Sequence, residues 1–128
     1  MATELRAGLI GCGSLGRVHT QALADIGKMR MVAFCDVVQA AATKLCEDFG
    51  GGYATTDVER LLSDPSLDAV YICTHHDTHA DLCIRAARAG KHIMVEKPLA
   101  LTVEECAQVG KVVEQEGITL MTAFKMRY

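Results

Sequence analysis

Several features are missing from the sequence, and each absence excludes a class. There is no excess of positive charge. Thirteen Lys and Arg stand against 16 Asp and Glu, a formal net charge of -3, so the basic footprint of a protein that grips a nucleic acid backbone is absent. The 6 cysteines, Cys12, Cys35, Cys46, Cys73, Cys83 and Cys106, form no C-x-x-C pair, so spacing gives neither a zinc knuckle nor a thioredoxin-type motif. Mostly buried, reduced thiols are expected instead. No apolar run approaches the roughly 18 residues of a membrane-spanning helix. The first residues, Met-Ala-Thr-Glu-Leu-Arg, do not resemble a secretory signal. The expectation is a cytoplasmic protein that binds neither nucleic acid nor membrane. Linkers, charge blocks, low-complexity segments and short-period repeats are also absent.

What is present has the composition of an ordinary globular domain. The 128 residues are 50% hydrophobic and 23% charged, which suits one domain over residues 1–128 with a real core. Apolar runs of strand length alternate with stretches of helical period, which predicts an α/β fold: a doubly wound parallel sheet of about six strands with helices on both faces. The strands are expected at Leu5 to Ile10, Met29 to Cys35, Tyr53 to Ala54, Ala69 to Cys73, His92 to Val95 and Ile118 to Phe124. Helices are expected at Ser14 to Ile26, at Gln39 to Phe49, over a short stretch to Leu62, from about Ala80 to Gly90, and from Thr102 to Gly117. Thr56-Asp57-Val58-Glu59 and Thr102-Val103-Glu104-Glu105 have the form of capping boxes. In the last helix, Val103, Cys106, Gly110 and Val113 are expected to face inward.

Gly11-Cys12-Gly13-Ser14-Leu15-Gly16 sits where the first strand turns into a helix, the context in which G-x-G-x-x-G has a physical meaning. Gly11 allows the tight turn, and Gly13 has no side chain to block a pyrophosphate. Gly16 lets helix and strand pack closely, and the helix start, including Ser14 and Leu15, offers N–H groups to the anion. A tight turn without a ligand is the plainer alternative. Asp36 follows Gly16 by 20 residues, at the end of strand two, where a carboxylate can accept from both hydroxyls of the adenine-side ribose. That favours NAD over NADP, since a 2′-phosphate would meet a negative charge with no Arg at Val37 or Val38 to offset it. Asp36 as a helix cap is the other reading.

Thr74-His75-His76-Asp77-Thr78-His79 follows the fourth strand and so lies at the carboxyl edge of the sheet, where doubly wound folds bind ligands. His75 and His79, four apart, invite a metal reading. The plain reading, with no metal, makes Asp77 or Thr78 the cap of the next helix. Glu96-Lys97-Pro98 ends strand five on the same edge and sets an ammonium group beside a carboxylate, able to polarise a hydroxyl or carbonyl or to be a surface ion pair.

Together these residues resemble the N-terminal domain of the Gfo/Idh/MocA family of NAD(P)-dependent oxidoreductases, over nearly the whole chain. Gly11 to Gly16 with Arg17-Val18-His19 is similar to the family's glycine loop with its trailing histidine. Ala89 to Ala100 resembles its A-G-K-H-v-x-x-E-K-P-l-a segment. The resemblance implies that Glu96, Lys97 and Pro98 form the active-site edge, with Lys97 catalytic, near nicotinamide and substrate, and with a cis Lys-Pro bond. It brings Thr74 and His79 to the cofactor through the T-P-N-x-x-H loop, in which His75 and His76 here replace Pro and Asn. Arg127, in a segment similar to the family's F-N-x-R-F, is expected to reach the site.

The activity implied is hydride transfer between NAD and a secondary alcohol of a sugar, inositol or similar polyol, by a homo-oligomeric full-length enzyme. The family's second α/β domain is absent from these residues, so cofactor binding without turnover is expected of this chain. A non-catalytic dinucleotide sensor is the alternative, and a methyltransferase a weaker one that the Glu-Lys-Pro edge opposes.

Overall fold

In the computed structural model, which describes residues 4–123, the alternating pattern resolves into β1 (Leu5–Ile10), α1 (Ser14–Ile26), β2 (Met29–Cys35), α2 (Gln39–Asp48), β3 (Tyr53–Thr55) and α3 (Val58–Leu62). β4 (Ala69–Ile72), α4 (His79–Arg88), β5 (His92–Glu96), α5 (Val103–Glu116) and β6 (Leu120–Ala123) complete it. The expected sixth strand ran to Phe124, which lies outside the described residues.

All six strands are parallel, in the order β3-β2-β1-β4-β5-β6. After β1 the chain builds outward through β2 and β3, then crosses back to lay β4 on the other side of β1. The loops leaving β1 and β4 therefore diverge and open a crevice at their carboxyl ends, the switch point of a doubly wound sheet. Side chains alternate across the sheet and feed two cores. Leu9, Phe34 and Tyr71 pack with Leu23 of α1 and Leu45 of α2 on one face. Ile10, Val70, Ile72 and Val95 pack with Leu61 of α3, Cys83 of α4 and Val109 of α5 on the other.

Helix ends follow from local chemistry. Gly27 and Gly117 close α1 and α5 in the left-handed conformation, at φ 77° and 67°. The hydroxyl of Thr102 accepts from Glu105 N–H, one of the two bonds of a capping box.

Two local expectations are corrected. The cap of α3 is Asp57 rather than Thr56, with the Asp57 carboxylate accepting from Glu59 N–H. The shorter Asx turn wins because Thr55 Oγ1 already accepts from Asp57 N–H and sets the chain one residue later. The inward face of α5 is centred on Val109 and Val112. Val103 is 81% exposed and Gly110 is also exposed, while Cys106 and Val113 are half-buried. α5 packs chiefly against α4 and buries a narrow stripe, so its first residue lies beyond the covered face.

Candidate functional site

The glycine turn assigns a separate task to each glycine. Gly11 has φ +100°, and a Cβ there would lie 2.4 Å from the Cys73 carbonyl oxygen, so only glycine fits. A Cβ on Gly16 would lie 2.3 Å from the Gly11 oxygen, where α1 closes on the end of β1. Around Gly13 an added Cβ meets nothing within 4 Å. Gly13 is the N-cap of α1, no side chain caps that helix, and its first turn holds no acid. The uncapped amides thus remain turned to open space, a ready anion site.

Asp36 stands against this turn. Its Oδ2 accepts from Cys12 N–H at 2.8 Å and its Oδ1 from Val38 N–H at 2.9 Å. The cap position of α2 is Val38, with no side-chain cap, so the reading of Asp36 as a helix cap gives way to one in which it braces the glycine turn. A carboxylate has about four lone-pair sites, so both oxygens retain capacity for hydroxyl donors.

Gly11, Gly13, Ser14, Leu15, Asp36 and Thr74 line one groove of about 560 Å³ at the carboxyl edge of the sheet. Val37, Val58 and His75 also line it, as do Leu82 and Arg85 of α4, to which the sequence alone gave no role at a site. Arg85 is engaged by two acids, Glu59 and, at 3.5 Å, Asp81. The bond to Glu59, more than the charge of Asp81, raises its pKa further above the ordinary value. The thiols near the turn are kept neutral. Burial, then the charge of Asp36, pushes Cys12 up to about 12 and Cys35 up to about 11, and burial pushes Cys73 up to about 12. All six cysteines are free, three buried and three half-buried.

Gly16, His79, Glu96, Lys97 and Pro98 do not line this groove. Glu96, half-buried at the end of β5, accepts a 2.6 Å hydrogen bond at Oε1 from His19 Nε2 of α1. The His19 ring also meets Tyr71 edge-on, 5.5 Å between centroids. Lys97 is exposed and makes no hydrogen bond or ion pair among the described residues. The Lys97–Pro98 bond is cis.

His79 is the largest departure from expectation. It is fully buried, with Nδ1 2.7 Å from the Pro98 carbonyl and Nε2 3.1 Å from that of Thr74, and it is not on the groove wall. A direct cofactor contact by His79 is therefore replaced by a place beneath the two loops. His75 precedes a short 3-10 turn (His76–Thr78) and is exposed, so it shares no helix face with His79. Thr78 caps α4 by position only, its hydroxyl being spent on Thr74 Oγ1 and the His75 carbonyl. Among the described residues no group of three or more His, Cys, Asp or Glu converges as metal ligands do. No described helix is long and apolar enough to cross a membrane. Arg127 lies outside the described residues. His19 was visible only as the histidine trailing the glycine loop, because its partner stands 77 residues away and no local spacing announces it.

The uncapped amides beside a side-chain-free Gly13, with a carboxylate 20 residues beyond Gly16, fit the pyrophosphate and ribose of a dinucleotide. Comparison with known proteins agrees. The model of an oxidoreductase family, described as an NAD-binding Rossmann fold, matches residues 5–124. Over 124 residues the chain is 41% identical to an inositol 2-dehydrogenase of Rhizobium meliloti, covering 97% of this chain and 37% of that protein. The solved structure of scyllo-inositol dehydrogenase from Lactobacillus casei, with bound cofactor NAD(H) and scyllo-inositol, superposes with a TM-score of 0.91 at 26% identity, over 98% of this chain and 37% of the other. A 3-ketoreductase from Actinomadura kijaniata, solved as a point mutant in complex with TDP-benzene and NADP, gives 0.90 at 29% identity, over 95% and 39%. The chain thus spans well under half the length of the relatives it matches.

Proposed function

The chain belongs to the Gfo/Idh/MocA oxidoreductase family as its NAD-binding Rossmann domain, and from that premise we propose that the full-length protein is a cytoplasmic, homo-oligomeric dehydrogenase. Its reaction is hydride transfer between NAD and a secondary alcohol of an inositol, a sugar or a similar polyol. The inositol dehydrogenases among its relatives support that substrate class.

Bound NAD supplies the hydride acceptor. The residues of this chain do the rest of the holding. The amides of Ser14 and Leu15 at the uncapped start of α1 bind the pyrophosphate, and Gly13 lets it approach the backbone. Asp36 accepts from the adenine-side ribose hydroxyls. Thr74 lines the groove on the β4 side. Lys97, free of partners among the described residues, orients the substrate hydroxyl and steers its proton, and Glu96 anchors the strand end behind it through His19.

The preference for NAD over NADP rests on charge. A 2′-phosphate beside Asp36 meets a carboxylate, and the groove cation Arg85 is already paired with Glu59 and Asp81.

The observation that carries this reading is the uncapped, sterically open start of α1 braced by Asp36 on the same groove. The test is Lys97→Ala in the full-length enzyme. Turnover should fall far more than NAD affinity; unchanged turnover removes Lys97 from the chemistry.

A further inference from the structure

We infer that His79 is a positioning residue: its ring ties the Glu96-Lys97-Pro98 turn to the start of α4 and so fixes where Lys97 stands relative to the groove. The inference rests on the reading of Lys97 as the catalytic group.

A buried imidazole needs hydrogen-bond partners, and those of His79 lie on the two loops that flank the site. The Pro98 carbonyl can only accept, so the 2.7 Å contact places a proton on Nδ1. The Thr74 carbonyl also only accepts, and at 3.1 Å from Nε2 it is the longer of the two contacts, so a single ring proton sits on the Pro98 side. The two tethers differ in reach. Thr74 is 5 residues from His79 on the loop that precedes it, whereas Pro98 is 19 residues away, past the end of β5, and directly follows Lys97.

His79 is itself anchored, as the first residue of a helix whose Ala80, Cys83 and Ala87 are packed into the core. Neighbouring groups do not replace it. The Thr78 hydroxyl is committed to Thr74 and His75, and the exposed His76 ring lies 5.9 Å off, tilted. Lys97 has no side-chain partner among the described residues, so its reach is set by where the backbone holds it.

Two substitutions separate tethering from packing. His79→Leu fills the space without a donor, while His79→Asn returns an amide N–H near the Nδ1 position. In the full-length enzyme, His79→Leu should lower kcat by up to about 100-fold, the scale of an ångström-level misplacement, with little change in KM for NAD. His79→Asn should restore most of that loss. Thermal melting of each variant reports whether it is folded. If both lower kcat equally while melting as the parent does, the tether is not what positions Lys97.

A measurement without substitution keeps the inference testable should the variants fail to fold. Nitrogen-15 NMR of the unsubstituted chain should find Nδ1 of His79 protonated; a ring protonated on Nε2 alone overturns it. Lys97→Ala runs alongside. No effect of Lys97→Ala refutes the reading of Lys97, whereas an effect of Lys97→Ala with none of His79→Leu refutes the tether.

Discussion

His19 on α1 and Glu96 at the end of β5 meet at 2.6 Å, with side chains 19% and 14% exposed, and so join the helix that follows the glycine turn to the strand that carries Lys97. The two halves of the site are thereby fastened across β1 and β4. Replacing His19 by Ala leaves a half-buried carboxylate without its partner. Unfolding in urea should show a loss of about 1 to 3 kcal/mol. An unchanged midpoint would mean that water replaces the imidazole without cost.

Gly11 and Gly13 should separate folding from binding. Gly11→Ala forces a Cβ to 2.4 Å from a backbone oxygen at a positive φ, so the domain should lose stability, by an amount on the order of 1–3 kcal/mol or more. Gly13→Val adds bulk where nothing lies within 4 Å and should melt near the parent while losing most of its affinity for NAD. Melting curves with and without NAD check both variants in one experiment.

Asp36→Ala removes the acceptor that braces Cys12 N–H and the charge that faces a 2′-phosphate. Affinity for NAD should fall and that for NADP should rise relative to it, by about tenfold in the ratio for each 1.4 kcal/mol of repulsion relieved. Calorimetric titration of both cofactors measures the ratio, and an unchanged ratio would remove Asp36 from the discrimination.

Alkaline pH should unfold the domain. The thiols of Cys12, Cys73 and Cys83 are pushed up to about 12 and that of Cys35 to about 11, burial being the first cause in each. Unfolded thiols ionise near their ordinary value, so above it the unfolded state binds fewer protons and stability falls as pH rises. The contribution is whole below about pH 8.5 and is lost on the way to about 12. Cys83→Ala should flatten the slope of stability against pH over that window, as read by urea titration at several pH values.

Much of this was legible in the sequence because the signals were local. In the β1–turn–α1 unit the strand ends at Gly11 and the helix at Gly27, whose backbone demands are written in the residue type, and the limits of both elements came out as expected. β4 reads as buried because Ala69 to Ile72 are apolar on both faces, as a central parallel strand must be. The face of α5 was misjudged because periodicity gives a stripe of candidates, while the packing of the helix against α4 decides which of them are covered. The side-chain partners were hidden for a different reason. Nothing near His79 in sequence reveals that Pro98 will accept from it, and nothing near Glu96 reveals His19. The residues of the site were visible as types, and their mutual bonds only as geometry.

The central claim is that the groove over Gly13 and Asp36 binds NAD, and a thermal-shift titration of this chain with NAD and NADP tests it most directly. A ligand at 100 times its dissociation constant adds about 2.7 kcal/mol, which moves the melting temperature by several degrees. A rise with NAD, a smaller one with NADP and none in Gly13→Val is the predicted result. No rise with either cofactor, or a rise that Gly13→Val leaves intact, would contradict the assignment of this groove.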